Sequence, residues 1–230
     1  MGDWPGAERR NPRASSPTWV VRRALARWLQ EQADELRGGP PVRILDVGCG
    51  VKPYYPFFAD VASEYVGVDA VENPAADLRG LVEALPVDDA SFDVVLCTQV
   101  LEHCGDPPRA VHELRRVTKP GGRVLASTHG VQVYHPSPTD YYRWTHDGLR
   151  MLFTSSAEWS DLSVTPAAGT ASALAMLLGT YIDIALRRTF LARPPVWLLN
   201  RLGTALDARI ALREPTPGSL IPNFHVVATV

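Results

Sequence analysis

Ile44-Leu45-Asp46-Val47-Gly48-Cys49-Gly50 is the stretch from which the fold is read. A short apolar run that ends in Gly-x-Gly is a strand feeding a tight turn. In an open α/β sheet, ligands bind beyond the carboxyl ends of the strands, near the point where the strand order reverses. Glycines at such a turn let the backbone approach a ligand closely and adopt conformations closed to other residues. A dinucleotide-binding loop would carry a third glycine at position 53, where this chain has Pro53. That disfavours a nicotinamide dehydrogenase.

Working outward, strands and helices alternate. Apolar residues at helical spacing (Val20, Leu25, Trp28, Leu29, Leu36) predict a helix over 18–36, stopped by Gly38-Gly39-Pro40. The first strand spans 42–47. Further strands are predicted at 65–69, 76–79, 92–98 and 122–128, the last two fully apolar, as in strands covered on both faces. Between those two lies a punctuated helix: Asp106 as N-cap, Pro107 at its first turn, Ala110, Val111, Leu114 and Val117 as the buried stripe, Pro120-Gly121 as the stop. This alternation predicts a parallel sheet with right-handed crossovers. After it come a polar and aromatic loop (131–145), a short helix (147–153), a strand at 158–164, two helical stretches (171–191 and 196–212) and a closing strand at 223–230. The helical pair, about 170–213, is an insertion between the last two strands.

Composition narrows the class. With 230 residues the chain fits one α/β domain, here 18–230, preceded by a Pro-, Arg- and Ser-rich leader over 1–17 that is expected to be flexible. A net charge of -2 gives no overall basic field for nucleic acid. Only Lys52 and Lys119 are lysines, the other basic residues being arginines, which suggests a GC-rich bacterial genome. Cys49, Cys97 and Cys104 lack the spacing of a zinc site or a disulfide framework, so no metal is expected and the cysteines are read as reduced, in a cytoplasmic protein. The longest apolar stretch, 171–186, is interrupted by Asp183 and falls short of the roughly 20 residues of a membrane span, leaving peripheral contact at most.

Three more signals stand in order after the glycine turn. Val66-Gly67-Val68-Asp69 ends the second strand in an acid suited to two ribose hydroxyls. Leu85-Pro86-Val87-Asp88-Asp89-Ala90-Ser91-Phe92-Asp93-Val94-Val95 leads to Leu101-Glu102-His103, and Lys119-Pro120-Gly121-Gly122 follows. Together these closely resemble the class I S-adenosylmethionine (SAM)-dependent methyltransferases, in particular the small-molecule group, over about 42–128. The resemblance implies a Rossmann-like, seven-stranded, mostly parallel sheet with helices on both faces, and SAM as cofactor. It implies that Asp46, Gly48, Cys49 and Gly50 face the methionine end of SAM, with backbone amides near its carboxylate and acids near its amine. Asp69 would hold the ribose with Ala70 beside the adenine. Val82 and Glu83 would bracket the adenine, and Thr98 and Gln99 would lie near the sulfonium. Lys52 departs from the family in standing where many members have another glycine, and Leu81 where many have an aspartate.

The expected activity is methyl transfer from SAM to a hydroxyl (or amine) of a small-molecule acceptor, a glycan or natural-product intermediate. His103, His129 and His135 are the candidate bases, with His135 preferred because loops after the fifth strand line the acceptor side. Tyr134, Asp140, Tyr141, Arg143 and Trp144 are the candidate acceptor-binding residues, Arg143 and Asp140 being equally suited to pairing with each other. Similar Pro-Thr-Asp-Tyr-x-Arg-Trp-Thr segments occur in bacterial methyltransferases of glycan and natural-product pathways. The rivals are a SAM-binding protein that does not methylate (a regulator or pathway cyclase) and a nucleic-acid methyltransferase. The second lacks a basic patch and an Asn-Pro-Pro-Tyr-type motif, since Thr98-Gln99-Val100-Leu101 stands after the fourth strand. The apolar stretch at 171–179 calls for a cover: an acceptor, a homodimer partner or a lipid surface.

Overall fold

The computed structural model describes residues 4–134, 136, 138–210 and 214–230. Seven strands form one sheet in the order β3-β2-β1-β4-β5-β7-β6: β1 (Val42–Val47), β2 (Ala62–Asp69), β3 (Leu78–Arg79), β4 (Phe92–Thr98), β5 (Thr118–His129), β6 (Asp161–Pro166) and β7 (Asn223–Thr229). The first five run parallel, and β7 lies antiparallel between β5 and β6. The strand order reverses at the β1–β4 pair, and an open α/β sheet binds its ligands beyond the carboxyl ends of the strands at such a point.

Strand periodicity divides the core into two layers. Ile44, Val94, Leu96 and Leu125 meet Leu25, Leu29 and Ala33 of α2 (Trp19–Leu36), with Phe58 of α3 (Tyr55–Phe58). The alternate residues Leu45, Val47, Val95, Cys97 and Val124 meet the other face's helices, α4 (Pro107–Val117) and α5 (His146–Ser156). Leu114 of α4 is fully buried, and truncating such a leucine to alanine costs roughly 2–5 kcal/mol. The α4 punctuation is realised as expected: the Asp106 side chain accepts from the Arg109 amide at 3.1 Å, with Pro107 in the first turn.

The helical insertion lies between β6 and β7 as α6 (Thr170–Ala185) and α7 (Arg193–Asp207), joined through a 3₁₀ turn at Phe190–Ala192. Gly203 lets the two helices meet closely, since a Cβ there would lie 2.9 Å from that of Ala175. The leader segment also makes specific contacts. It forms α1 (Ala7–Arg10), and the Trp4 indole donates to the Lys52 carbonyl at 2.8 Å. Arg10 donates to the Pro53 carbonyl, and Asn200 of α7 donates to the carbonyls of Ala14 and Ser16. Among the described residues no helix is long and apolar enough to cross a membrane.

Candidate active site

The loops after β1 and β4 touch at the carboxyl end of the sheet. Gly48 and Gly50 have φ of 69° and 51°, the left-handed region in which glycine is unstrained. A Cβ on Gly48 would lie 2.4 Å from Val100 of the β4 loop, so the close approach itself requires glycine. A Cβ on Gly50 would meet nothing within 4 Å, so the space beside this glycine is open. Lys52 retains a φ of 50° without being glycine. Its ammonium reaches across the bare backbone of Gly67 to Asp77, which also accepts from the Gly67 amide at 2.6 Å. A Cβ on Gly67 would come within 2.5 Å of the Lys52 stem. The departure at position 52 is thus matched by its neighbours.

Donors in the turn are distributed differently from the expectation. The Gly48 and Cys49 amides both donate to the Val68 carbonyl, at 2.8 and 3.1 Å, because the left-handed turn folds back on β2. The Gly50 amide donates to Asp69 at 3.1 Å. None of the three is aimed at a carboxylate above the turn. The thiol of Cys49 is packed behind Gly67, and burial pushes it up to about 12. Asp46 is buried and accepts from the Tyr65 hydroxyl at 2.8 Å. Burial pushes its carboxyl up to about 7, opposed by that hydrogen bond and by the positive charges of Lys52 and Arg9. A carboxylate so placed favours a cationic neighbour such as an ammonium group.

Asp69 ends β2 as expected. Its Oδ2 accepts from Gly50 and from the Asn73 amide at 2.9 Å, while Oδ1 has only a long 3.4 Å contact with the Val71 amide. That leaves Oδ1 able to accept from a ribose hydroxyl. Ala70 is exposed beside it. Val82 is buried in the core, and the Glu83 carboxylate accepts from the Gly105 amide at 2.8 Å, bracing the approach to α4. Leu81 is 57% exposed near the same edge. Thr98 closes β4, and Gln99, with φ of 58°, turns its amide to Ser127 and Asn223 at 2.9 and 3.1 Å. Asp46 and Asp69 offer carboxylates suited to an ammonium group and a ribose hydroxyl, whereas the Gly48, Cys49 and Gly50 amides are engaged within the frame. Gln99 and Glu83 spend their side chains on the frame.

Beyond the carboxyl ends of β4 and β5 the structure joins residues distant in sequence. Glu102, wholly buried just beyond β4, receives the Thr128 hydroxyl at 2.7 Å and stands 3.3 Å from His129 Nε2. Burial pushes its carboxyl up to about 7, with the Thr128 hydrogen bond pulling the other way. The Glu102 carbonyl accepts from the amides of Tyr141 and Tyr142, the His129 carbonyl from that of Trp144, and His103 Nδ1 lies 2.9 Å from the Thr139 carbonyl. The Tyr142 and Trp144 rings stack at 5.2 Å, and Arg143 grips Asp140 with both terminal nitrogens. His103, His129, Asp140, Tyr141, Arg143 and Trp144 therefore form one cluster. Tyr134 is exposed at its margin, and His135 lies outside the described residues. Glu102 had no signal in the sequence beyond its place before His103. Among the described residues no cluster of His, Cys, Asp and Glu is grouped to hold a metal.

Residues 45–126 match the family described as a methyltransferase domain. A malonyl-acyl-carrier-protein O-methyltransferase of Erwinia pyrifoliae is 43% identical over 115 residues, covering 44% of each chain. A ubiquinone biosynthesis O-methyltransferase of Bordetella avium is 32% identical over 127 residues, 49% of this chain and 52% of that one. The aligned region spans about half the length of these relatives. Among solved structures, the 4+2-cyclase SpnF superposes over 89% of this chain and 81% of its own, with TM-score 0.56 and 19% identity. Phosphoethanolamine N-methyltransferase 2 of Haemonchus contortus, in complex with SAM, does so over 92% of this chain and 55% of its own, with TM-score 0.55 and 20% identity. Residues 45–126 thus match a methyltransferase domain, set in a sheet whose fold is shared with solved methyltransferases, one of them in complex with SAM.

Proposed function

We propose that this chain transfers the methyl group of SAM to a hydroxyl oxygen of a small-molecule acceptor, a glycan or natural-product intermediate. The observation that carries the reading is the buried Glu102–His129 pair at the carboxyl ends of β4 and β5. When bound, SAM supplies an electrophilic methyl on a positively charged sulfur. Alignment of the acceptor oxygen with that methyl, and exclusion of water, provide the largest share of the acceleration. The imidazole of His129 would take the proton that a hydroxyl acceptor must lose on methylation. The Glu102 carboxylate orients the ring and stabilises the imidazolium. Arg143, Asp140, Tyr141 and Trp144 shape the wall against which the acceptor lies. The O-methyltransferase names of the two relatives agree with an oxygen acceptor. A cytoplasmic setting is in keeping with three free, buried cysteines, and the slightly negative net charge speaks against nucleic acid as partner.

The test is release of S-adenosylhomocysteine coupled to methyl gain on a panel of hydroxylated sugars, phenols and acids. Turnover on amines but on no hydroxyl compound would sink the oxygen assignment. A second reading follows from the likeness to a cyclase: the chain binds SAM without consuming it. Tight SAM binding with no S-adenosylhomocysteine from any acceptor would favour it.

A further inference from the structure

We propose that the α6–α7 hairpin docks the domain on a lipid bilayer bearing anionic headgroups. Twelve of the nineteen large apolar residues exposed among the described ones lie between Leu174 and Ile210, so the exposure is concentrated on this insertion. Leu174, Leu178 and Tyr181 recur at helical spacing and form one stripe on α6, opposite the buried Ser172, Met176 and Gly179. On α7, Leu198, Leu202 and Leu206 form a second stripe, opposite Val196, Asn200 and Gly203. Each stripe thus faces away from the residues that attach its helix to the domain. The attachment is firm: Met176 packs on Trp19, Val20 and Val21, and Asp207 accepts from the Gly169, Ala171 and Ser172 amides at 2.9–3.1 Å. At the hairpin tip, Leu186, Phe190 and Leu191 are exposed as well.

The charge selects the occupant. Residues 170–210 carry five arginines (Arg187, Arg188, Arg193, Arg201 and Arg209), all exposed, against Asp183 and the already engaged Asp207. Arg187 and Arg188 sit at the tip with φ of 53° and 57°, beside Phe190. A second copy laid face to face would bring these arginines against their own kind, at a cost. An anionic surface takes up both the apolar stripes and the arginines, and each basic side chain near such a surface adds to the attraction. Trp197 and Tyr181 suit the boundary between headgroups and acyl chains. Contact is peripheral, because no described helix can cross.

The experiment is flotation of the full chain with phosphatidylcholine vesicles containing phosphatidylglycerol, against phosphatidylcholine alone. The wild type floats with the anionic vesicles only, and less so at high salt. Arg187→Glu/Arg188→Glu weakens partitioning by about tenfold or more, and Leu198→Ser/Leu202→Ser abolishes it. These side chains are exposed, so both variants keep the wild-type thermal midpoint and S-adenosylhomocysteine affinity. A wild-type chain that stays with the soluble fraction overturns the proposal. So does a dimer in light scattering that Leu178→Ser/Leu202→Ser disperses while vesicles are ignored, which would assign the face to a second copy. Equal binding to both vesicle types overturns the role of charge. The assay needs no turnover, so its failure is separable from failure of the proposed reaction.

Discussion

His129 Nε2 lies 3.3 Å from Glu102 Oε1, the histidine ending β5 and the glutamate standing just past β4, both side chains buried. The parallel register that sets Thr98 beside Ser127 carries the two following loops to the same place. A carboxylate beside an imidazole supports its positive form, as required of a base that must gain and return a proton. His129→Ala is expected to lower turnover by roughly 10²–10⁴-fold with SAM affinity unchanged. Glu102→Gln should lower turnover less, because it removes the orienting charge and leaves the ring. Steady-state kinetics with calorimetry of SAM binding checks both. Normal turnover in His129→Ala would remove the pair from the mechanism.

The same burial predicts a pH dependence of stability. Asp46 and Glu102 are each pushed up to about 7 in the folded protein, from 3.8 and 4.5. The folded chain therefore holds more protons than the unfolded one between those limits. Their stabilising contribution is full below the unfolded values and is lost as pH rises through about 7. Thermal melts from acid to neutral pH should show the wild type losing stability relative to Glu102→Gln, whose amide does not titrate. Parallel curves for the two proteins would contradict the assignment to Glu102.

Asp69 predicts the strength of cofactor binding. Asp69→Ala removes the acceptor offered to the ribose and also frees the Gly50 amide and Asn73. SAM affinity should fall by roughly 1.5–3 kcal/mol, the usual worth of a hydrogen bond to a charged group. Asn73→Ala, which only loosens the carboxylate, should cost less. Calorimetry on both variants orders the two effects, and the reverse order would move the ribose contact elsewhere.

Gly67 predicts a steric effect rather than a chemical one. Gly67→Ala places a methyl group against the Lys52 stem and the Cys49 sulfur. Such overpacking costs about 1–3 kcal/mol, visible as a lower midpoint in denaturant. The double variant Gly67→Ala/Lys52→Gly should recover part of the loss, since the shorter residue clears the path and tolerates the left-handed backbone. No recovery would mean that Cys49 bears the clash.

Arg143 predicts a change in acceptor binding. Its guanidinium clasps Asp140 and donates to the Val133 carbonyl at 3.0 Å, holding both arms of the loop after β5. Arg143→Lys keeps the charge but not the two-pronged grip. KM for the acceptor is expected to rise with SAM affinity preserved. A raised SAM dissociation constant instead would place the loop on the cofactor side.

By itself, the sequence determined what depends on local pattern. The β1 and β4 boundaries, the α4 cap, Asp69 at the end of β2 and the insertion between the last two strands follow from periodicity, turn chemistry and motif spacing, each acting within a few residues. The tertiary structure decided what depends on which strands lie side by side. Glu102 reaches His129 and Thr128 only because β4 and β5 are neighbours, and Lys52 reaches Asp77 only because Gly67 of the adjacent strand has no side chain. The leader, whose composition suggested flexibility, meets the loop after β1 through Trp4 and Arg10. Glu83 and Gln99 fit the motif's spacing, yet their side chains satisfy frame donors and acceptors that only the folded chain brings within reach. Spacing along a chain fixes which loop a residue occupies; the partner of its side chain is fixed by contacts that no local pattern encodes.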